Sequence, residues 1–177
     1  MRRSSMQLLV ANLFGIAAML AGGPAIAEDP SAGATLINSE GHEVGKVSLT
    51  ESPNGVLLHA ELHDIPAGTH GFHLHTVGSC TPDFKAAGGH FNPTGKKHGF
   101  MAKEGAHLGD MPNIHVPASG ALTFEFFLPE VTIATGETQL LDSDGTAVMV
   151  HAKPDDYRTD PAGDAGDRIA CGVIKKK

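Results

Sequence analysis

VLLHAEL (Val56–Leu62) alternates without a break. Val56, Leu58, Ala60 and Leu62 fall on one side; Leu57, His59, Glu61 and the following His63 fall on the other. A period of two marks a strand with one buried face, because successive side chains leave a pleated strand in opposite directions. SPNG (Ser52–Gly55), just before it, is turn chemistry, and VGKVSLT (Val44–Thr50) before that turn reads as another strand. Working outward, ATLIN (Ala34–Asn38), HGFHLH (His70–His75), GALTFEFFL (Gly120–Leu128), TAVMVHA (Thr146–Ala152) and RIACGVI (Arg168–Ile174) are runs of the same type, and DSDG (Asp142–Gly145) is a second turn signal. No stretch of the mature sequence carries a convincing amphipathic helical pattern. Short strands at regular spacing predict an all-β antiparallel sandwich or barrel.

Two segments resist the strand reading. Thr81–Pro117 is rich in Gly and Pro and holds four of the eleven histidines, and KPDDYRTDPAGDAGD (Lys153–Asp167) is irregular and crowded with charge. Loops of this length in a compact domain are functional or disordered as a rule. Ligand-type residues at intervals favour function.

The N-terminus predicts export. Arg2 and Arg3 precede an apolar core, LLVANLFGIAAMLA (Leu8–Ala21), and AIA (Ala25–Ala27) has the small-residue pattern of a signal-peptidase site. The apolar core is too short to span a bilayer, which takes about 20 residues, and no cysteine follows to carry a lipid. The expected organisation is a cleaved signal peptide, 1–27, followed by one domain, 28–177, in a bacterial periplasm. Removing the two leader arginines takes the formal charge from −7 to −9 with histidines neutral. That balance argues against nucleic acid or an anionic membrane as partner. The two cysteines, Cys80 and Cys171, both lie in the exported part. In an oxidising compartment they are most simply a disulfide, worth roughly 4–5 kcal/mol as a loop-closing link. The rival reading makes Cys80 a metal ligand beside His75.

The histidines carry the chemistry. His73 and His75 share one strand face within about 7 Å, so their imidazoles can converge on one metal. His151, at the end of TAVMV, can add a third ligand from another strand. In AGGHFNPTGKKHGFMAKEGAHLGD, His90, His98, His107 and Asp110 follow at spacings of eight, nine and three. Three imidazoles and a carboxylate make a closed tetrahedral set suited to structural zinc. A solvated, histidine-rich loop is the alternative.

The ordered set GFHLH, Cys80, GGHFNP, HG, GAHLGD, VHAKPDD and GDRIACGVI resembles copper/zinc superoxide dismutase, in its secreted bacterial form, over essentially the whole mature chain. The resemblance implies an antiparallel Greek-key β-barrel or sandwich with two long functional loops. It implies one copper per chain on His73, His75, His90 and His151, and one zinc on His90, His98, His107 and Asp110, with His90 shared. It also implies a Cys80–Cys171 disulfide, and Arg168 beside the copper as the group that attracts and orients superoxide. Asp155 is the implied carboxylate joining a copper-side to a zinc-side histidine, with neighbouring Asp156 as the competitor. His90 and Arg168 are the residues of the catalytic cycle, in which superoxide is dismutated to O₂ and H₂O₂. Secreted bacterial members occur as monomers or homodimers, and nothing in the sequence chooses.

His70 matches a structural histidine, and His59 and His63 stand about 13 Å apart on a strand, too far to share a metal. His42 and His115 have no motif context. Lys85, Lys96, Lys97 and Lys153 are candidate steering charges, and Lys175–Lys177 reads as a frayed tail. Two other functions compete. A zinc hydrolase or lyase built on His73, His75 and one more histidine leaves the His98–His107–Asp110 set without purpose. A non-catalytic copper- and zinc-binding protein on the same fold fits less well, since neither a copper ligand nor Arg168 is lost.

Overall fold

The computed structural model describes residues 31–177; the expected leader, 1–27, lies outside them. The strands are β1 (Ser31–Asn38), β2 (Glu43–Ser52), β3 (Gly55–Leu62), β4 (Gly68–His70), β5 (Phe72–His75), β6 (Ile114–Val116), β7 (Leu122–Pro129), β8 (Ala147–His151), β9 (Arg168–Val173) and β10 (Lys175–Lys176). All pairings between them are antiparallel, and one 3₁₀ turn, Phe84–Ala87, is the only helical element among the described residues.

The main sheet runs β5-β8-β9-β1-β2-β3-β7, with β10 also on β1, while β4 and β6 form a separate pair. β3 lies beside β7, and β5 beside β8, although other elements intervene in the chain. These crossovers wind the sheet into a Greek-key half-barrel. Its two ends meet through aromatic rings. Phe72 of β5 stands edge-on to Phe124 of β7 with centroids 5.1 Å apart, and Phe126 lies 6.2 Å away. Edge-to-face pairs of this kind add attraction beyond their buried area.

The alternation of β3 is realised as read. Val56, Leu58, Ala60 and Leu62 are buried in the core, and Leu57 is 42% exposed on the outside. Pro53 and Asn54 form the tip of the β2–β3 hairpin, closed by the Ser52 hydroxyl donating to the Gly55 carbonyl at 2.9 Å. In DSDG the Asp142 carboxylate accepts the N–H groups of Asp144 and Gly145.

The same period of two places the site. On β5, Phe72 and Leu74 belong to the core cluster, so His73 and His75 point away from it, yet both are buried. On β8, Val148 and Val150 face the core, whereas Ala147, Met149 and His151 share the outer side. Long loops cover this outer side, which is why its histidines are shielded. Cys80 and Cys171 form a disulfide that ties the first loop to β9, inside a small outer cluster with Ala87, Ala147 and Met149.

The structure departs from the sequence reading at two short elements and one break. Lys175–Lys177 is not a frayed tail: Lys175 and Lys176 pair with Gly33 and Ala32, and the Lys177 N–H donates to the Ser31 carbonyl. Lysine is depleted in strands, but it suits a sheet margin, where its charge discourages further pairing. Ile114–Val116, inside the expected loop, pairs with β4. The run His70–His75 is broken at Gly71, whose N–H and carbonyl bond instead to Lys153 O and His151 N.

Phe72→Ala is expected to destabilise the metal-free, disulfide-intact protein by about 3–5 kcal/mol in urea unfolding, since it empties the closure of the curl. A loss under about 1 kcal/mol would show that the two ends of the sheet hold without this ring.

Candidate metal centre

The first loop is held against β5 by backbone hydrogen bonds. The Leu74 N–H donates to Gly109 O at 2.9 Å, the Phe91 N–H donates to Leu74 O at 2.8 Å, and the Gly109 N–H donates to Phe91 O at 2.8 Å. Only glycine fits at 109: a Cβ there would stand 2.5 Å from the Leu74 carbonyl and 2.9 Å from the Phe91 nitrogen. This three-way lock sets His90, one residue before Phe91, and Asp110, one residue after Gly109, beside His75 and His73 of β5.

Two groups of buried side chains result, with His90 in both. In the first, His73, His75, His90 and His151 offer nitrogens that all lie within 4.8 Å of one another; in the second, three nitrogens from His90, His98 and His107 and one carboxylate oxygen of Asp110 lie within the same distance. Every member is at most 8% exposed.

Hydrogen bonds fix which nitrogen each ring turns inward. His75 Nδ1 donates to Gly88 O at 3.0 Å and His151 Nδ1 reaches Gly166 O at 3.3 Å, so their Nε2 atoms meet, 3.4 Å apart. His73 Nε2 donates to Asp155 Oδ2 at 2.8 Å, leaving Nδ1 for the group. His90 Nδ1 lies 2.8 Å from Asp110 Oδ1, leaving Nε2. His73 Nδ1 and His90 Nε2 are buried with no hydrogen-bond partner. Buried polar atoms are partnered as a rule, and two orphans aimed into one ring of imidazoles fit a bound cation. In the second group the Nδ1 atoms of His90, His98 and His107 stand 2.8, 3.1 and 3.2 Å from the same oxygen, Asp110 Oδ1. Asp110 Oδ2 meanwhile accepts the N–H groups of Gly99 and His107 and is thereby oriented. The donor sets fit copper and zinc.

Asp155, and not Asp156, spans the two groups: Oδ2 takes His73 and Oδ1 takes His98 Nε2 at 3.0 Å. Asp156 is exposed and caps a turn through Arg158 and Thr159. The second loop closes so tightly here that a Cβ on Gly163 would collide with the Asp155 carboxylate and with His98 Nε2. Arg168 donates from Nη1 to Phe84 O and from Nη2 to Gly88 O, both at 2.6 Å, so it shares Gly88 O with His75. A register shift between Val150 and His151 brings His151 opposite Arg168.

Burial, followed by the mutual repulsion of the rings, lowers three imidazoles of the first group: His75 well below its ordinary value, His90 to about 4 and His151 to about 3. They are neutral, as ligands must be. Burial also works against protonation of His98, but hydrogen bonds to Asp110 and Asp155 outweigh it and raise this ring to about 9. Asp110 and Asp155 resist burial through their histidine hydrogen bonds and stay well below the usual carboxylate range.

The remaining histidines stand apart. His70 is buried and stitches backbone together, its nitrogens 2.8 Å from the carbonyls of His151 and Pro66. His42 and His115 are exposed, beside Glu40 and Thr69; His59 and His63 pair with nearby carboxylates. Lys97 pairs with Asp160, while Lys85, Lys96 and Lys153 are exposed. Asn113 and Tyr157, which the sequence reading passed over, hold the Asp155 segment.

Residues 43–174 match the family described as copper/zinc superoxide dismutase. The chain is 45% identical over 153 residues to superoxide dismutase [Cu-Zn] 1 of Aquifex aeolicus, covering 85% of this chain and 90% of that one. It is 46% identical over 149 residues to superoxide dismutase [Cu-Zn] of Caulobacter vibrioides, covering 82% and 86%. Among solved structures, a superoxide-dismutase-like protein from Bacillus subtilis superposes with a TM-score of 0.76 at 37% identity, over 80% of this chain and 96% of that one. With the fold, the disulfide and two imidazole-rich groups already in place, the chain belongs to the copper/zinc superoxide dismutase family. It is an oxidoreductase that dismutates superoxide with copper and zinc as cofactors.

A cation bound at His98 Nδ1 must displace the proton that this ring holds up to about pH 9, so zinc binding there would release a proton and tighten as pH rises. Calorimetry in buffers of different ionisation enthalpy should show release of about one proton near pH 7.5, with zinc affinity rising about tenfold per pH unit toward pH 9. Zinc affinity that stayed flat over that window would contradict the assignment of His98.

Proposed function

We propose that copper sits among His73, His75, His90 and His151, and zinc among His90, His98, His107 and Asp110, with His90 serving both. The two unpartnered buried nitrogens, His73 Nδ1 and His90 Nε2, are the observation that carries this reading. Copper, when bound, supplies a one-electron couple that takes an electron from one superoxide and gives it to the next.

The chain's own residues do the rest. The Arg168 guanidinium, fixed by two carbonyls, is a positive charge beside His75 and His151 in an otherwise acidic chain. It attracts the superoxide anion and orients it. Focused fields change association rates by about 10–10³, and this family is itself a known case of such steering. His90 Nε2 is the atom at which a proton is held and then delivered to the second oxygen species. Asp155 keeps the His73 and His98 rings turned so that the correct nitrogens face inward. Asp110 keeps the zinc-side rings together, and two protons are consumed for every O₂ and H₂O₂ formed.

We further propose that residues 1–27 are a cleaved signal peptide and that the mature chain works in the periplasm. The leader's composition supports this, as does the Cys80–Cys171 disulfide, a bond that persists in oxidising compartments.

Metal analysis and superoxide dismutation measured on one purified sample should give one copper and one zinc per chain, with activity lost when copper is stripped and restored when it is returned. Full activity after complete copper removal would overturn the reading. His151→Ala is expected to lose copper and keep zinc, whereas His90→Ala should weaken both.

Arg168→Glu should lower kcat/KM by about 10-fold or more at low salt with both metals retained, and Arg168→Lys should lose far less. The wild-type rate should also fall with ionic strength, because salt screens attraction beyond about 8–10 Å. An Arg168→Glu variant with wild-type kcat/KM at low salt would remove Arg168 from the mechanism.

A further inference from the structure

Tyr157 is the chain's only tyrosine, and the chain has no tryptophan. It belongs to neither ligand group, yet it touches three parts of the site. Its N–H donates to Asp155 Oδ1 at 2.6 Å, and its carbonyl accepts the Met101 N–H at 3.1 Å. Its hydroxyl accepts the Asn113 N–H at 2.7 Å. Asn113 in turn grips the Asp155 backbone with both ends of its side chain: Nδ2 donates to Asp155 O, and Oδ1 accepts the Asp155 N–H, each at 2.8 Å.

These bonds link the two long loops at one place. Asn113 lies three residues after Asp110, and Met101 three residues after His98, so both contacts reach segments that carry zinc-side ligands. The Tyr157 ring packs on Phe100 with centroids 5.6 Å apart. Tyr157 also adopts φ = 61°, a left-handed backbone that non-glycine residues rarely take and that persists where the surroundings over-determine it. Oδ1 of Asp155, which accepts the Tyr157 N–H, is also the oxygen that accepts His98 Nε2.

We propose that Tyr157 is a positioning residue that acts through Asp155: by joining the loops through Asn113 and Met101, it sets the carboxylate that orients His98 and His73. Zinc binding by the second group thereby depends on the Tyr157 hydroxyl, which touches no ligand. The inference rests on the two-metal reading above.

Tyr157→Phe keeps the ring and removes only the hydroxyl. In metal-free, disulfide-intact protein it should raise the zinc Kd about tenfold, within the range found when groups that orient metal ligands are removed. In an Asp155→Ala background the same substitution should change the zinc Kd by less than about twofold, because the group through which it acts is gone. Tyrosine emission of the wild type, which reports Tyr157 alone, should change during a zinc titration and level off at one zinc per chain. The proposal falls if Tyr157→Phe binds zinc like the wild type, or if it loses affinity equally in both backgrounds, as a general loosening of the fold would do. Should Tyr157→Phe not fold, Asn113→Ala takes its place with the same expected pair of affinities. A wild type that bound no zinc would instead bring down the two-metal reading, and the proposal with it.

Discussion

Three buried imidazole nitrogens crowd one carboxylate oxygen, Asp110 Oδ1, at 2.8–3.2 Å. Protons alone satisfy this arrangement poorly. His90 can give Asp110 its Nδ1 proton only by leaving its buried Nε2 without one, and that nitrogen has no other partner. A cation on each side of His90 would resolve the conflict, since ligand nitrogens must shed their protons anyway. The shared ring is the point at which the two groups constrain each other.

The barrel makes this concentration of polar side chains tolerable. β5 and β8 turn Phe72, Leu74, Val148 and Val150 inward, and this packing fixes their backbones. The period of two then delivers His73, His75 and His151 to the outer side with no freedom in register. The loops lie over that side because Leu74 bonds to them with both its N–H and its carbonyl. Covering loops bring desolvation, desolvation keeps His75, His90 and His151 neutral, and neutral imidazoles are competent ligands. The chain carries a net negative charge, so a field that guides superoxide, as proposed for Arg168, has to be local.

Much of this was legible in the sequence, and the reasons differ by element. β3 announced itself by strict alternation, and His73 and His75 by sharing its logic on β5. Membership of the ligand groups followed from ordered motifs that resemble a known family, because spacing alone does not say which loop histidines meet. Asp155 was preferred to Asp156 only through the resemblance, since adjacent loop residues obey no fixed period; the fold buries the first and exposes the second. β6 was hidden by its three-residue length between prolines, and β10 by its lysines. Tyr157 and Asn113 gave no signal at all. Their partnership spans 44 residues and is made by backbone and hydroxyl groups, which carry no sequence pattern.

The central claim is that one imidazole, His90, lies between two different metals. Anomalous scattering from crystals of the loaded protein, recorded at the copper and zinc absorption edges, tests it most directly. The account predicts a copper peak among His73, His75, His90 and His151 and a separate zinc peak among His90, His98, His107 and Asp110, with the His90 ring between them. A single metal peak in fully loaded crystals, or two peaks of which one makes no contact with His90, would contradict it.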